Sequence, residues 1–182
     1  MMSNPSLRQQ AVWERPLLAK SYDQNKYGDS PPDYALLKQH SRDVAEACNA
    51  LAEAVGRTAL FNAGVNLESF EQFRLELKAN GWIQDLGKAN SHFQTMVMTN
   101  PQITQLLRHE TISGCLIWLE PRMREWLSHF SGNLLSSVWA AMGHHRKFDE
   151  RTSPEQVATL TVHVAHKDFS EILADKIGRA HV

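Results

Sequence analysis

Residues 84–94 read Gln-Asp-Leu-Gly-Lys-Ala-Asn-Ser-His-Phe-Gln. Apolar residues on both sides of it recur every three or four positions, which is typical of helices that bury one face. Upstream, the spacing predicts a helix at about residues 67–80 and a short helical piece at 82–86. Downstream it predicts another short helix at 92–98. Asp85 therefore stands at the end of a helix just before a glycine break, a place that suits an ordinary turn residue.

The same helical spacing continues along the rest of the chain. It predicts further helices at about residues 34–55, 102–119, 121–130, 134–142 and 153–165. Gly56, Gly81 and Gly143 follow predicted helices as stops, and Pro154 after Ser153 is typical of a helix start. No segment alternates apolar and polar residues as a strand does. The sequence predicts an all-α domain, and we expect its core to include Trp82, Trp118, Trp126 and Trp139.

Length and composition indicate one ordinary domain. The 182 residues are 42% hydrophobic and 21% charged, with a net charge of −1, so the chain lacks the basic excess of a protein that binds duplex DNA by charge alone. No apolar run approaches the roughly 18 residues of a membrane span, and the polar N-terminus lacks the apolar segment of a secretion signal. We expect a cytoplasmic protein that keeps Cys48 and Cys115 as buried, reduced thiols.

We divide the chain into an irregular segment at residues 1–33, a helical domain at 34–175 and a tail at 176–182. The tail, Lys-Ile-Gly-Arg-Ala-His-Val, resembles the translation of a sequencing-library adapter, so we expect it to be non-native. On this hypothesis the natural domain is incomplete at its C-terminus.

Imidazole and carboxylate side chains come from several of the predicted helices. His40, Asp85, His109, His144 and His145 are the ligand types that a divalent transition metal prefers. A helical bundle can direct such side chains to one point, and a carboxylate can bridge two metals about 3.5–4 Å apart. Each residue also has an ordinary interpretation, because His40 could cap or face solvent and the His144–His145 pair could cap a helix end.

Residues 84–94 resemble the H-D-x-G-K-x-x-x-x-F-Q motif of a known family. That family is the HD nuclease domain of the CRISPR-associated helicase–nuclease of type I systems, within the HD phosphohydrolase superfamily. Four more stretches are similar to its motifs: Leu-Leu-Ala-Lys-Ser at 17–21, Leu-x-x-His-x-x-Asp-Val at 37–44, Arg-His-Glu-x-x-Ser at 108–113 and Met-Gly-His-His at 142–145. The resemblance covers about residues 17–170 and implies an HD-domain helical bundle with a metal site at its centre.

The resemblance implies two metal positions that share Asp85. The ligand set of one position is complete and consists of Asp85, His109, His144 and His145. The other keeps His40 and Asp85, but Gln84 stands where the family has a histidine, and an amide oxygen is a weaker ligand for a transition metal. We therefore expect one firm and one weak site for Mn²⁺, Co²⁺, Ni²⁺, Fe²⁺ or Mg²⁺. We assign no counterpart to the family's final aspartate, because Asp168 lies in a stretch typical of turns and packing, and Asp175 is no stronger a candidate.

The function implied is metal-dependent hydrolysis of phosphodiester bonds in single-stranded DNA during CRISPR antiviral defence. Asp85 would act as the central carboxylate, and Lys88 would offset negative charge on the scissile phosphate. The implied partners are single-stranded DNA, a fused or separate helicase, and an RNA-guided surveillance complex. Two alternatives stay open: an HD phosphohydrolase acting on small nucleotides, and a catalytically degenerate HD scaffold, which the replacement at Gln84 would favour.

Overall fold

The computed structural model describes residues 14–99, 107–130, 133–145 and 160–175. Its α-helices are α1 Gln24–Tyr27, α2 Leu37–Leu51, α3 Arg57–Asn62, α4 Phe70–Ile83, α5 Ser91–Thr99, α6 His109–Leu119, α7 Pro121–Ser128, α8 Leu134–Gly143 and α9 Lys167–Ala174. Within these ranges the only β-type pairings are isolated bridges, so the predicted all-α fold is confirmed. No helix among the described residues is long and apolar enough to cross a membrane.

Helices α2 and α4 form the central pair, and neither ends at the glycine where the sequence predicts a stop. A π-turn at Ala52–Gly56 carries the backbone from α2 directly into α3, and α4 runs through Gly81 to Ile83. A Cβ on Gly81 would lie 2.7 Å from Cys48 Sγ, and one on Gly56 would lie 3.1 Å from the ring of Phe70. The prediction that these glycines end helices was wrong, because both allow close packing between neighbouring elements.

The N-terminal segment takes part in the core. Leu17, Leu18 and Ala19 are buried, and Leu18 forms an antiparallel bridge with Leu36 just before α2. Gln94, fully buried on α5, accepts a hydrogen bond from Leu18 N and donates one to Leu18 O. The segment before α2 is therefore fixed against the domain by main-chain and side-chain hydrogen bonds.

Helices α6 and α8 form a second pair. A Cβ on Gly114 would lie 2.8 Å from Met142 Sδ, so α8 packs directly over the middle of α6. Helix α9 closes the core with Phe169 and Ile172, both fully buried, and the indole of Trp82 donates a hydrogen bond to Ile172 O. These packed pairs place the end of α4, the start of α6 and the end of α8 beside one another.

The predicted helix at 153–165 is wrong over its described part. Residues 160–165 are not helical: Ser91 N donates to Thr161 O, and His163 N donates to Ala89 O. The next helix begins only at Lys167, where the side chain of His166 accepts a hydrogen bond from Asp168 N as an N-cap. Pairing with residues 89–91 takes the hydrogen-bonding groups that a helix would need. Residues 153–159, and the tail at 176–182, lie outside the described residues.

Two predictions about burial also fail. Trp82 and Trp126 are buried, but Trp118 and Trp139 are 54% and 59% exposed. Cys115 is exposed and Cys48 is half-buried, although both are free thiols as predicted. The described side of α6 and α8 that carries Trp118, Trp139 and Cys115 therefore faces solvent.

Candidate metal centre

The five predicted histidine and aspartate positions converge on one carboxylate. His40 lies on α2, Asp85 follows α4, His109 opens α6, and His144 and His145 follow α8. Four of them, excluding His40, present one ligand atom each within 4.8 Å of one another. The packing of three helix ends thus assembles groups that are up to 60 residues apart in sequence.

The two oxygens of Asp85 face different partners. Oδ1 lies 3.0 Å from His109 Nε2 and 3.4 Å from His144 Nε2. Oδ2 lies 2.8 Å from His40 Nε2 and 3.1 Å from Lys88 Nζ. His145 joins the Oδ1 side, because its Nε2 is 3.1 Å from His109 Nε2. One carboxylate is thus shared between a three-histidine group and a smaller group formed by His40 and Lys88.

The environment of Asp85 favours its ionised form. Burial opposes ionisation, but the close polar contacts with His109, His144 and His40, together with the charge of Lys88, outweigh it and lower the pKa of Asp85 far below its usual range. The carboxylate is therefore negative at every pH at which the protein would work, and it is available as an anionic ligand.

The two histidines after α8 differ in their protonation. For His144, burial lowers the pKa, but the contact with the Asp85 carboxylate and the hydrogen bond to Ala141 O raise it more, so the net pKa lies above the ordinary imidazole value. For His145, burial and the neighbouring rings of His144 and His109 lower the pKa. The lowered pKa favours the neutral form of His145, which a metal ligand needs, whereas the raised pKa of His144 means that a cation competes there more strongly with a proton.

The donor set fits a divalent metal ion. Asp85 Oδ1 and His144 Nε2 are buried polar atoms, and neither has a hydrogen bond of acceptable geometry within the described part of the chain. Buried polar atoms left without a partner are costly, and they often mark a place where an ion or water binds. One carboxylate and three imidazoles are a ligand set typical of transition metals. Asp85, His109, His144 and His145 could therefore hold such an ion.

The polar residues of the 84–94 stretch hold Asp85 in place. Gly87 N donates to Ser113 Oγ at 2.8 Å, which joins the turn after Asp85 to α6. Asn90 Nδ2 donates to Gly87 O, and Gln94 Nε2 donates to Lys88 O at 2.9 Å. Three hydrogen bonds, two of them buried, therefore hold the one-turn 3₁₀ helix Leu86–Lys88 in place.

Lys88 lies at the edge of the centre. Its Nζ contacts Asp85 Oδ2 and lies 5.7 Å from the centre of the Phe93 ring, and that ring in turn meets His109 edge-on. Phe93 is buried, as expected of a core residue. The ammonium group is thus held next to the carboxylate by a charge and an aromatic face.

Glu110 is a residue whose importance the sequence did not reveal. It follows His109 in the first turn of α6, is only 3% exposed, and forms an ion pair with Arg108. Its Oε2 lies 3.5 Å from His109 Nδ1. An acidic residue in a first helical turn is common because it favours the helix dipole, so sequence alone gives no signal of this burial.

The alternative candidates for a final aspartate lie in other surroundings. Asp168 Oδ2 accepts a hydrogen bond from Leu17 N, and Asp175 lies 3.7 Å from Arg42. Neither belongs to the four-residue ligand cluster. Gln84, the C-cap residue of α4, directly precedes Asp85 and is partly buried.

Comparison with known proteins agrees with this geometry. The family model described as Cas3, HD domain, matches residues 19–181. A protein of Myxococcus xanthus (strain DK1622) that carries the provisional name CRISPR-associated nuclease/helicase Cas3 is 34% identical over 164 residues, which are 86% of this chain and 21% of that protein. The chain thus spans about a fifth of that relative's length, and no solved structure gives a significant match. This chain belongs to the Cas3 HD-domain family.

Proposed function

We propose that this domain is a divalent-metal-dependent nuclease that hydrolyses phosphodiester bonds of single-stranded DNA. The observation that supports this most directly is the division of the Asp85 carboxylate, with Oδ1 facing His109 and His144 and Oδ2 facing His40 and Lys88. A carboxylate with donors on both oxygens suits the bridging position of a two-metal phosphoesterase.

The ligands of the firm site would be Asp85, His109, His144 and His145, and those of the weaker site would be His40, Asp85 and Gln84. A bound divalent ion supplies an activated water and neutralises negative charge on phosphate oxygens. Lys88 would bring its ammonium against the scissile phosphate, where negative charge accumulates during hydrolysis. Asp85 would remain ionised throughout, because its pKa is lowered far below neutrality.

The wider setting follows from the relative. That protein is named as a CRISPR-associated nuclease/helicase, which supports the inference that this domain works with a helicase, fused or separate. From the resemblance in sequence motifs we also propose an RNA-guided surveillance complex as a partner in antiviral defence, in the cytoplasm. The chain's net charge of −1 is compatible with this division of labour, because a helicase would deliver the single strand that the domain itself does not attract.

The replacement at Gln84 favours a second candidate, an HD scaffold without activity. If the weaker site were essential, loss of one imidazole would leave a protein that binds partners but does not cut DNA. Metal content distinguishes the two possibilities, because a scaffold has no reason to keep a stoichiometric transition metal.

The test is cleavage of circular single-stranded DNA in the presence of Mn²⁺, Co²⁺, Ni²⁺ or Mg²⁺. We expect cleavage by the wild-type protein and none by Asp85→Ala. A matched control is Asp43→Ala, which removes an exposed carboxylate that accepts a hydrogen bond from Gln39 on the same helix as His40. Equal cleavage by the wild type and Asp85→Ala, or no cleavage with any metal, would contradict the proposal.

A further inference from the structure

Glu110 is a buried carboxylate beside a candidate metal ligand but outside the ligand cluster. Its side chain contacts the imidazole of His109 on the Nδ1 side, whereas Nε2 of the same ring faces Asp85 Oδ1 at 3.0 Å. The four-residue cluster that could hold an ion does not include it. The two carboxylates thus face opposite nitrogens of one imidazole ring.

The polar atoms with which Glu110 and His109 face each other are buried. In the described part of the chain, His109 Nδ1 and Glu110 Oε2 have no hydrogen-bond partner of acceptable geometry, and they lie 3.5 Å apart. An unsatisfied buried donor or acceptor costs about 1–3 kcal/mol. A hydrogen bond from the Nδ1–H of His109 to Glu110 Oε2 would satisfy both atoms at once. The charge of Arg108, which pairs with the other side of the Glu110 carboxylate, offsets the cost of burying it.

We propose that Glu110 is a positioning residue that holds His109 as a metal ligand. This inference rests on the proposed metal-dependent function. The carboxylate accepts the Nδ1–H of His109, so the lone pair of the ring remains on Nε2, the nitrogen that faces Asp85. Such a carboxylate behind a ligating histidine fixes the tautomer and orientation of the ring and increases its basicity. Arg108 holds the carboxylate from its other side, so the residues Arg108, His109 and Glu110 act as one unit at the start of α6.

The first measurement is the affinity for Co²⁺, by calorimetric titration of the whole chain. Loss of a carboxylate behind a ligating histidine typically weakens metal binding about 10–100-fold. We expect Glu110→Ala to show a loss of this size and Glu110→Gln, which keeps an acceptor oxygen, a smaller one. The matched control is Asp168→Asn, which removes the charge of another poorly exposed carboxylate, one that accepts a hydrogen bond from Leu17 N. We expect this variant to bind Co²⁺ within about twofold of the wild type.

The second measurement reports on the hydrogen bond itself. In the Co²⁺-loaded protein, the ring N–H protons of bound histidines shift far from the other proton resonances in NMR spectra. We expect the N–H of His109 to exchange slowly with solvent in the wild type and faster in Glu110→Gln. A role confined to folding stability would lower the unfolding temperature of the metal-free variants but leave Co²⁺ affinity and this exchange rate unchanged.

The outcomes separate this inference from the proposed function. If the wild type binds no Co²⁺, both are wrong. If the wild type binds Co²⁺ and the Glu110 variants bind it equally well, only the positioning role is overturned. If Glu110→Ala does not fold, Glu110→Gln and the exchange rate in the wild type decide, because a rapidly exchanging His109 N–H would refute the contact.

Discussion

Replacing Gly87 by alanine should disrupt both the fold and the metal centre. A Cβ at this position would lie 2.6 Å from Ser113 N and 2.8 Å from Ser113 Oγ, and closer still to the carbonyl oxygen of His109. Real Cβ atoms essentially never approach another heavy atom within 3.0 Å, so the 2.6 Å contact alone must open by about 0.4 Å. Two of the three atoms belong to the backbone of α6, which cannot move aside as the end of a flexible side chain can.

The expected cost can be estimated from these contacts. Overpacking of a closely packed site costs about 1–3 kcal/mol, and loss of the hydrogen bond from Gly87 N to Ser113 Oγ adds about 1 kcal/mol. A total of about 3 kcal/mol would lower the unfolding temperature by roughly 6–12 °C in a domain of this size. Because the same displacement separates Asp85 from His109, we also expect Co²⁺ binding to weaken at least about tenfold.

The assay is thermal unfolding in the presence of a chelator, followed by Co²⁺ titration of the folded protein. Gly64→Ala is the control: Gly64 has φ +70°, and a Cβ there meets nothing within 4 Å. That change carries only the backbone cost of a left-handed residue, about 1–2 kcal/mol, and should leave Co²⁺ affinity unchanged. If Gly87→Ala unfolds within about 1 kcal/mol of the wild type and binds Co²⁺ normally, the close-contact argument is wrong.

Four further changes test other parts of the structure. Gln94→Leu should lower the free energy of unfolding by about 3 kcal/mol or more in a urea titration, because it leaves buried backbone groups such as Leu18 N unsatisfied; a loss under 1 kcal/mol would refute this. Burial, followed by the charge of a neighbouring histidine, lowers the pKa of His163. The unfolded chain therefore binds the proton more readily, and the free energy of unfolding falls as the pH drops below about 6.5. His163→Gln should flatten that part of the stability–pH curve, and an unchanged curve would contradict this prediction. Lys88→Met should reduce cleavage of circular single-stranded DNA about 100-fold while Co²⁺ affinity stays within a few-fold, whereas normal cleavage would remove Lys88 from the mechanism. Gln84→His should raise the Co²⁺ stoichiometry measured by calorimetry from one to two, and an unchanged stoichiometry would show that this position does not limit the second site.

Apolar periodicity predicted the longer helices that bury one face, such as α2 and α4, but it did not predict α1, which buries no residue, or α9 at Lys167–Ala174. It was not enough to predict where helices stop. A glycine that ends a helix and a glycine that lets two helices approach look identical in sequence, which is why the predictions at Gly56 and Gly81 failed. Only the positions of Phe70 and Cys48, brought close by tertiary packing, distinguish the two uses.

Periodicity also identifies an apolar face without saying whether anything covers it. The sequence predicts Trp118 and Trp139 as core residues, yet both are more than half exposed. The prediction that residues 160–165 are helical was wrong for a different reason. The backbone of this segment pairs with Ala89 and Ser91, a contact between residues about 70 positions apart that no local pattern encodes.

The sequence predicts only those residues of the candidate site that could bind a metal directly. Resemblance to a motif led to Asp85, His109, His144 and His145, and the structure brings these four together. Glu110 lies in the Arg-His-Glu-x-x-Ser stretch that resembles a family motif, but the resemblance assigns it no role, because that role depends on burial and on the side of the imidazole ring that it contacts. A residue that binds a metal can be recognised in the sequence by its chemical type, whereas a residue that orients a metal-binding side chain is recognised only by its geometry.

The two sides of Asp85 differ in the groups that they present. The Oδ1 side presents the imidazoles of His109 and His144, whose side chains are 10% and 13% exposed, together with the exposed His145. Electrostatic attraction between ligand and cation is stronger where water is excluded, so His109 and His144 would contribute most to holding an ion on this side. The Oδ2 side presents the imidazole of His40, 26% exposed, and the ammonium of Lys88, 11% exposed; on the proposed mechanism this is the side that meets the substrate phosphate. On the same proposal, glutamine at position 84 weakens the side that substrate oxygens could complete, and it leaves the three-histidine set unchanged.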